Sequence, residues 1–101
     1  MSAGGARFEG RSVIVTGAAA GIGRATAVRF AAEGARLVAN DVDAERLDKV
    51  ASQMRGEFGA RVTTVVGDVS EDAEAQRIVD AAVTAYGGVD VLVAKIGRAH
   101  V

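Results

Sequence analysis

The sequence predicts an α/β fold, a partial doubly wound parallel sheet in the order β-α-β-α-β-α-β. Three observations predict it. Short apolar, β-branched runs alternate with stretches whose apolar residues recur at helical spacing. Glycines punctuate the ends of the helical stretches. The succession of helix, glycine and strand also recurs, as Gly34-Ala35-Arg36-Leu37 and again as Gly59-Ala60-Arg61-Val62. Strands that alternate with helices pair in parallel, because each helix carries the chain back to the same end of the sheet.

Residues 1–11 are small, polar and glycine-containing, which predicts a loose lead-in with Phe8 packing on the domain. Ser12 to Thr16 is the first strand. It runs into the turn Gly17-Ala18-Ala19-Ala20-Gly21-Ile22-Gly23, and a helix is expected from about Ile22 to Glu33. Gly21, Ala25, Val28 and Ala32 share one face of that helix, and their small size predicts close packing on the sheet. Gly34 is placed as its C-cap. Arg36 to Asn40 is the second strand, followed by Asp41, and Asp43 is expected to N-cap the next helix.

In that helix Leu47, Val50, Ala51, Met54 and Phe58 fall at i, i+3, i+4, i+7 and i+11, an amphipathic stripe that Gly59 ends. Arg61 to Val66 is the third strand, left through Gly67-Asp68-Val69, with Ser70 as the next N-cap. Ala75, Ile78, Val79, Ala82 and Tyr86 repeat the same spacing, Gly87-Gly88 closes the helix, and Val89 to Ala94 makes a fourth strand. Arg24 and Glu33 read as exposed helix residues, and Met54 and the aromatics as core. Right-handed crossovers put the first two helices on one face. A fourth strand returning beside the first gives the strand order 3-2-1-4 and leaves the third helix alone on the other face. Ligands then bind at the carboxyl ends of strands one and four, where the order reverses.

Composition bounds the function. A chain of 101 residues holds at most one small domain, and its hydrophobic half and charged quarter are those of a globular protein. A net charge of −1 gives no electrostatic attraction for nucleic acid or anionic membrane. There is no cysteine, so neither disulfides nor thiolate metal sites are possible. Residues 1–10 hold no apolar stretch of the kind a signal peptide needs, and no segment approaches the ~20 apolar residues of a membrane span. A cytoplasmic location is expected.

The chemistry starts at the glycine-rich turn. A strand that turns tightly into a helix N-terminus aims several backbone N–H groups at one spot, and the helix dipole adds partial positive charge there. Such a spot suits an anion, most often a phosphate. Glycine serves where a side chain would hold the ligand off or where φ is positive. Gly17, Gly21, Ile22 and Gly23 are therefore predicted to hold the pyrophosphate of a dinucleotide. The general fingerprint is G-x-G-x-x-G with an acidic residue about 20 positions further on. Here the glycines are spaced Gly17-x-x-x-Gly21-x-Gly23, preceded by Thr16.

This Thr-Gly-x-x-x-Gly-Ile-Gly form resembles the cofactor loop of the short-chain dehydrogenase/reductase family. The resemblance implies a Rossmann-type fold and hydride transfer between a nicotinamide cofactor and an alcohol or carbonyl substrate. Asp41, at the end of the second strand, can accept hydrogen bonds from both hydroxyls of an adenosine ribose and repel the 2′-phosphate of NADP. The resemblance places a basic residue of NADP-using relatives at the positions of Ala20 or Val42, and neither is basic here. NAD is the expected cofactor, with NADP second. The resemblance also assigns the Asp68 carboxylate to the adenine amino group and the Val69 backbone to a ring nitrogen. The plainer alternatives are a solvated Asp41 and an Asp68 that helps to cap the third helix.

Catalysis in the family rests on a Ser and a Tyr-x-x-x-Lys pair, the lysine lowering the tyrosine pKa. The one tyrosine here, Tyr86, is followed four residues later by Asp90, so no catalytic residue is assigned. The chain resembles roughly the first third to two-fifths of such an enzyme. It is expected to be inactive and weakly stable by itself, and to form a homo-oligomer only at full length. The family's fourth strand ends in Asn-Asn-Ala-Gly or Ala-Asn-Ala-Gly, whereas Lys95-Ile96-Gly97-Arg98-Ala99-His100-Val101 follows Ala94. Ile96 to Val101 is what the adapter codons ATC-GGA-AGA-GCA-CAC-GTC encode, so residues 95–101 are expected to be a non-native tail and 1–94 the dinucleotide-binding part. Two other functions fit the same fold: a non-catalytic dinucleotide-sensing module, and an S-adenosylmethionine domain, whose glycines usually close more tightly.

Overall fold

The computed structural model describes residues 7–94. The expected tail, 95–101, and residues 1–6 lie outside them. Four strands and three helices alternate: β1 (Ser12–Val15), α1 (Gly21–Ala32), β2 (Arg36–Asp41), α2 (Ala44–Phe58), β3 (Arg61–Val66), α3 (Asp72–Tyr86) and β4 (Val91–Val93). The sheet order is β3-β2-β1-β4, with every pairing parallel, as the alternation and the return of the fourth strand predict. Among the described residues no helix is long and apolar enough to cross a membrane.

Side-chain alternation splits the core into two layers. Val13, Val15, Leu37, Ala39 and Val62 meet Ala27 and Ala31 of α1 and Leu47, Val50, Ala51 and Met54 of α2. Ile14, Val38 and Val65 point the other way, under Ile78, Ala82 and Tyr86 of α3. The first two helices thus share one face and the third has the other. With both faces covered, β1 is buried along its length and apolar from Val13 to Val15, as parallel strands are.

Several details depart from the sequence reading. The buried face of α1 is Gly23, Ala27 and Ala31, not Gly21, Ala25, Val28 and Ala32. The cause is steric: α1 must enter with Gly23 against the Gly17 carbonyl, and that contact fixes its rotation. Phe58, the last residue of α2, and Val79, midway along α3, belong to the expected apolar stripes but are partly exposed. Glu33 is buried rather than exposed. Its carboxylate accepts from Arg29 Nε at 2.8 Å, and its carbonyl accepts from the Phe8 amide at 2.9 Å. Phe8 then packs edge-on against Phe30 with ring centres 4.9 Å apart, so the lead-in is pinned from residue 8. Gly34 follows the helix end with φ +90°, one place beyond the C-cap Glu33.

The N-cap of α3 is Glu71, not Ser70, and β4 is shorter than Val89 to Ala94. Asp90 explains the shorter strand. Its carboxylate accepts from the Ser12 amide and its own amide donates to the Ser12 carbonyl, both at 2.8 Å, which sets where pairing with β1 begins.

Tyr86 braces the α3 layer. Its hydroxyl donates to the Leu37 carbonyl at 2.8 Å, so the Thr63 hydroxyl, 3.1 Å away, is the donor of that second pair. The Arg36 and Arg61 guanidinium carbons lie 5.2 and 5.5 Å from its ring centre.

Candidate functional site

The chemistry-bearing residues gather at the carboxyl ends of the strands. β1 runs into the loop 16–20, β2 ends on Asp41, and β3 leaves through Gly67-Asp68-Val69. The three loop glycines have different physical reasons to be glycine. Gly17 and Gly21 have φ of +65° and +59°, a region that L side chains enter at a cost. Gly23 has no such φ. A Cβ there would overlap the Gly17 carbonyl oxygen and lie 2.7 Å from its carbon, so Gly23 lets the helix close on the strand.

The N-terminus of α1 is open. Ala20, its N-cap, is extended and supplies no side-chain acceptor, and the first turn holds no acidic residue. The other helices carry their own anions: Asp43 caps α2 with Glu45 behind it, and α3 begins with Asp72 and Glu74. The first-turn amides of α1 and their partial positive charge are therefore available to an outside anion. Ile22, in that turn, is 80% exposed.

Two clefts flank the loop. One, of about 310 Å³, is lined by Gly17, Asn40, Asp41, Val42, Gly67, Asp68 and Val69. The other, of about 270 Å³, is lined by Thr16, Ile22, Gly23, Thr26, Val93 and Ala94. Of the seven residues predicted from sequence, four line the first cleft and two the second. Gly21 lines neither and stands exposed at the helix N-terminus between them.

Asp41 is half-buried and is held by backbone on both carboxylate oxygens. Its Oδ2 accepts from the Ala19 amide and its Oδ1 from the Asp43 amide, each at 3.0 Å. A carboxylate offers about four lone-pair directions. Each oxygen therefore keeps one for a further donor. Asp68 Oδ1 accepts from the Ser70 amide at 2.9 Å and the Ser70 hydroxyl at 2.7 Å. These contacts, the amide first, hold its carboxyl below the usual carboxylate range. Asp68 Oδ2 has no hydrogen bond among the described residues. Ser70 thus shapes the turn through Asp68 instead of capping α3.

Sequence reasoning missed Asn40. It is 2% exposed, and its Nδ2 donates to the Val65 carbonyl at 3.0 Å and the Gly67 carbonyl at 3.1 Å. Its signal was a lone polar residue ending an apolar strand, directly before the acidic one.

Comparison with known proteins gives this geometry a family. The sequence pattern of the family described as short chain dehydrogenase matches residues 11–101. Glucose 1-dehydrogenase of Gluconobacter oxydans is 41% identical over 91 residues, covering 90% of this chain and 34% of its own length. L-Sorbose reductase from Gluconobacter frateurii, solved in complex with NADPH and L-sorbose, superposes with a TM-score of 0.85 at 34% identity, covering 90% of this chain and 35% of that one. A short chain dehydrogenase/reductase from Burkholderia phymatum, solved in complex with NAD, superposes at 0.81 with 41% identity, covering 84% and 30%. The chain spans about a third of the length of the curated relatives it matches. With the parallel 3-2-1-4 sheet, the open helix behind Thr16-Gly17 and a pattern matched from residue 11 onward, the chain belongs to the short chain dehydrogenase family.

Proposed function

We propose that this chain is the NAD(H)-holding part of an oxidoreductase that moves hydride between a nicotinamide cofactor and an alcohol or carbonyl substrate. The observation that carries the reading is the placement of Asp41. It ends β2 in the same cleft as Gly17, Asp68 and Val69, beside an α1 N-terminus with no anion of its own. The amides of Gly21, Ile22 and Gly23 face the diphosphate. Asp41 takes the adenosine ribose hydroxyls on the lone pairs left by Ala19 and Asp43. Asp68 offers Oδ2 to the adenine amine, and the Val69 backbone meets a ring nitrogen. The second cleft, walled by Ile22 and Val93, receives the nicotinamide half.

The similar solved structures include one with NADPH and one with NAD, so the preference has to rest on this chain's own residues. A 2′-phosphate would set its charge against the Asp41 carboxylate, and Ala20 and Val42 offer it no cation. The bound cofactor supplies the hydride chemistry, while these residues bind and orient it. Tyr86 takes no part, since its hydroxyl is committed to Leu37 under α3. The acid–base groups belong to sequence beyond these 101 residues, as do the substrate pocket and the contacts of a homo-oligomer. A cytoplasmic location goes with the reading, because that is where the dinucleotide pool lies. Residues 95–101 have no role in it, and a genomic read continuing through their codons would overturn that point.

Fluorescence titration of a full-length protein carrying this segment tests the proposal. NADH should bind more tightly than NADPH, and Asp41→Asn should narrow that preference by about tenfold, ~1.4 kcal/mol. No binding of NADH, or an unchanged preference in the variant, would overturn it.

A further inference from the structure

The loop that faces the diphosphate, Gly17-Ala18-Ala19-Ala20-Gly21, has no polar side chain with which to hold itself in place. We infer that Asp41 sets this loop, its carboxylate gripping the Ala19 amide and so fixing where the first-turn amides of α1 stand. The inference rests on the function proposed above and gives a positioning role to a residue assigned there to the ribose.

Two consecutive amides tie the loop to the end of β2. Ala18 N–H donates to the Asn40 carbonyl at 2.8 Å, and Ala19 N–H donates to Asp41 Oδ2 at 3.0 Å, across 22 residues of sequence. Both alanines are buried, at 0% and 6% exposure, so an amide there that loses its acceptor gains little from water. Ala20, the next residue, is the N-cap of α1. A shift at Ala19 therefore moves the helix entry directly.

Asp41 is itself well held. Its Oδ1 is fixed by the Asp43 amide, and Asp43 in turn caps α2 through the Arg46 amide. Its carbonyl accepts from the Gly67 amide at 3.1 Å. Asn40, just before it, spends both Nδ2 protons on the Val65 and Gly67 carbonyls. The end of β2 is clamped to the strand beside it, and from that fixed point it clamps the loop.

Charge makes the two roles separable, because they predict opposite signs. A carboxylate beside a diphosphate repels it. If Asp41 served the ribose alone, removing it would leave inorganic diphosphate, which has no ribose, bound as tightly as before or more tightly. If Asp41 holds the loop, removing it weakens diphosphate despite the relieved repulsion.

The test measures inorganic diphosphate by calorimetry on a full-length protein carrying this segment, as wild type, Asp41→Ala and Asp41→Asn. Asp41→Ala should bind diphosphate about fivefold more weakly. Asp41→Asn can keep its one oxygen for the Ala19 amide only by turning its NH2 toward the Asp43 amide, so it retains part of the grip without the charge and should bind diphosphate more tightly than Asp41→Ala. Ala19 amide exchange, followed by NMR in the folded variants, should be slower in Asp41→Asn than in Asp41→Ala. Unweakened diphosphate binding in Asp41→Ala, or equal losses in both variants, would overturn the loop role. Diphosphate binding that follows these expectations while NADH fails to bind would leave the loop role standing and sink the proposed function instead.

Discussion

A methyl group at position 23 would lie 2.7 Å from the Gly17 carbonyl carbon and 3.2 Å from the Thr16 oxygen, both of them backbone. Neither atom can move without moving β1. Gly23→Ala should therefore cost about 1–3 kcal/mol of stability, as overpacking does, read from the denaturation midpoint of the full-length protein. At Gly21 an added Cβ meets open space, so Gly21→Ala should cost only the strain of its positive φ, roughly 1–2 kcal/mol.

Asp68 supplies a prediction about pH. Its carboxyl is held low by the Ser70 amide and hydroxyl. The stability these contacts contribute is complete above the ordinary carboxylate range and is lost as the pH falls through the lower, folded value. Ser70→Ala removes the hydroxyl, so the Asp68 carboxyl should titrate at higher pH, measured by NMR of the side-chain carbon; an unmoved titration would contradict the assignment. That Gly17, Gly21, Gly23 and Asp41 gather around one turn was legible in the sequence because the glycine spacing is local and Asp41 ends the neighbouring strand. Asn40 and Glu33 could not. What keeps Asn40 buried is a pair of carbonyls 25 and 27 residues away, and sequence spacing carries no sign of them.

Among the elements, α2 and β3 were legible almost to the residue and the face of α1 was not. In α2 the four buried residues stand out among charged ones, and a capping Asp43 and a left-handed Gly59 mark its ends. Helix α1 is rich in alanine around its circumference, so hydrophobicity gives no direction; the contact at Gly23 does. Of the two expected side-chain caps, Asp43 caps α2 and Ser70 does not cap α3. Asp43→Ala should cost about 1 kcal/mol, because its side chain accepts from the Arg46 amide at 3.1 Å. Chemical denaturation measures it, and a loss below a few tenths would show that the cap contributes little.

For the molecule as a whole, the strand order was legible because alternation and the cofactor loop together leave few topologies open. What the described residues leave exposed is equally informative. Leu92 of β4 is 58% exposed and Val83 of α3 is 50% exposed, and β4 pairs on one side only, with β1. An unpaired apolar edge of this kind promotes association. The 101-residue chain by itself should unfold with low cooperativity and self-associate, and Leu92→Lys should reduce that association in sedimentation experiments. Sharp melting of a monomer would contradict the expectation.

The Tyr86 brace has a consequence for inheritance. Its hydroxyl grips β2 at Leu37, near where the strand begins, while Asp41 finishes the same strand at its far tip. The brace under α3 and the carboxylate proposed to meet the ribose are thus separated along one ribbon. Descendants of such a chain that exchange the tip must anchor the Ala19 amide by other means, while the brace at the opposite pole is left untouched.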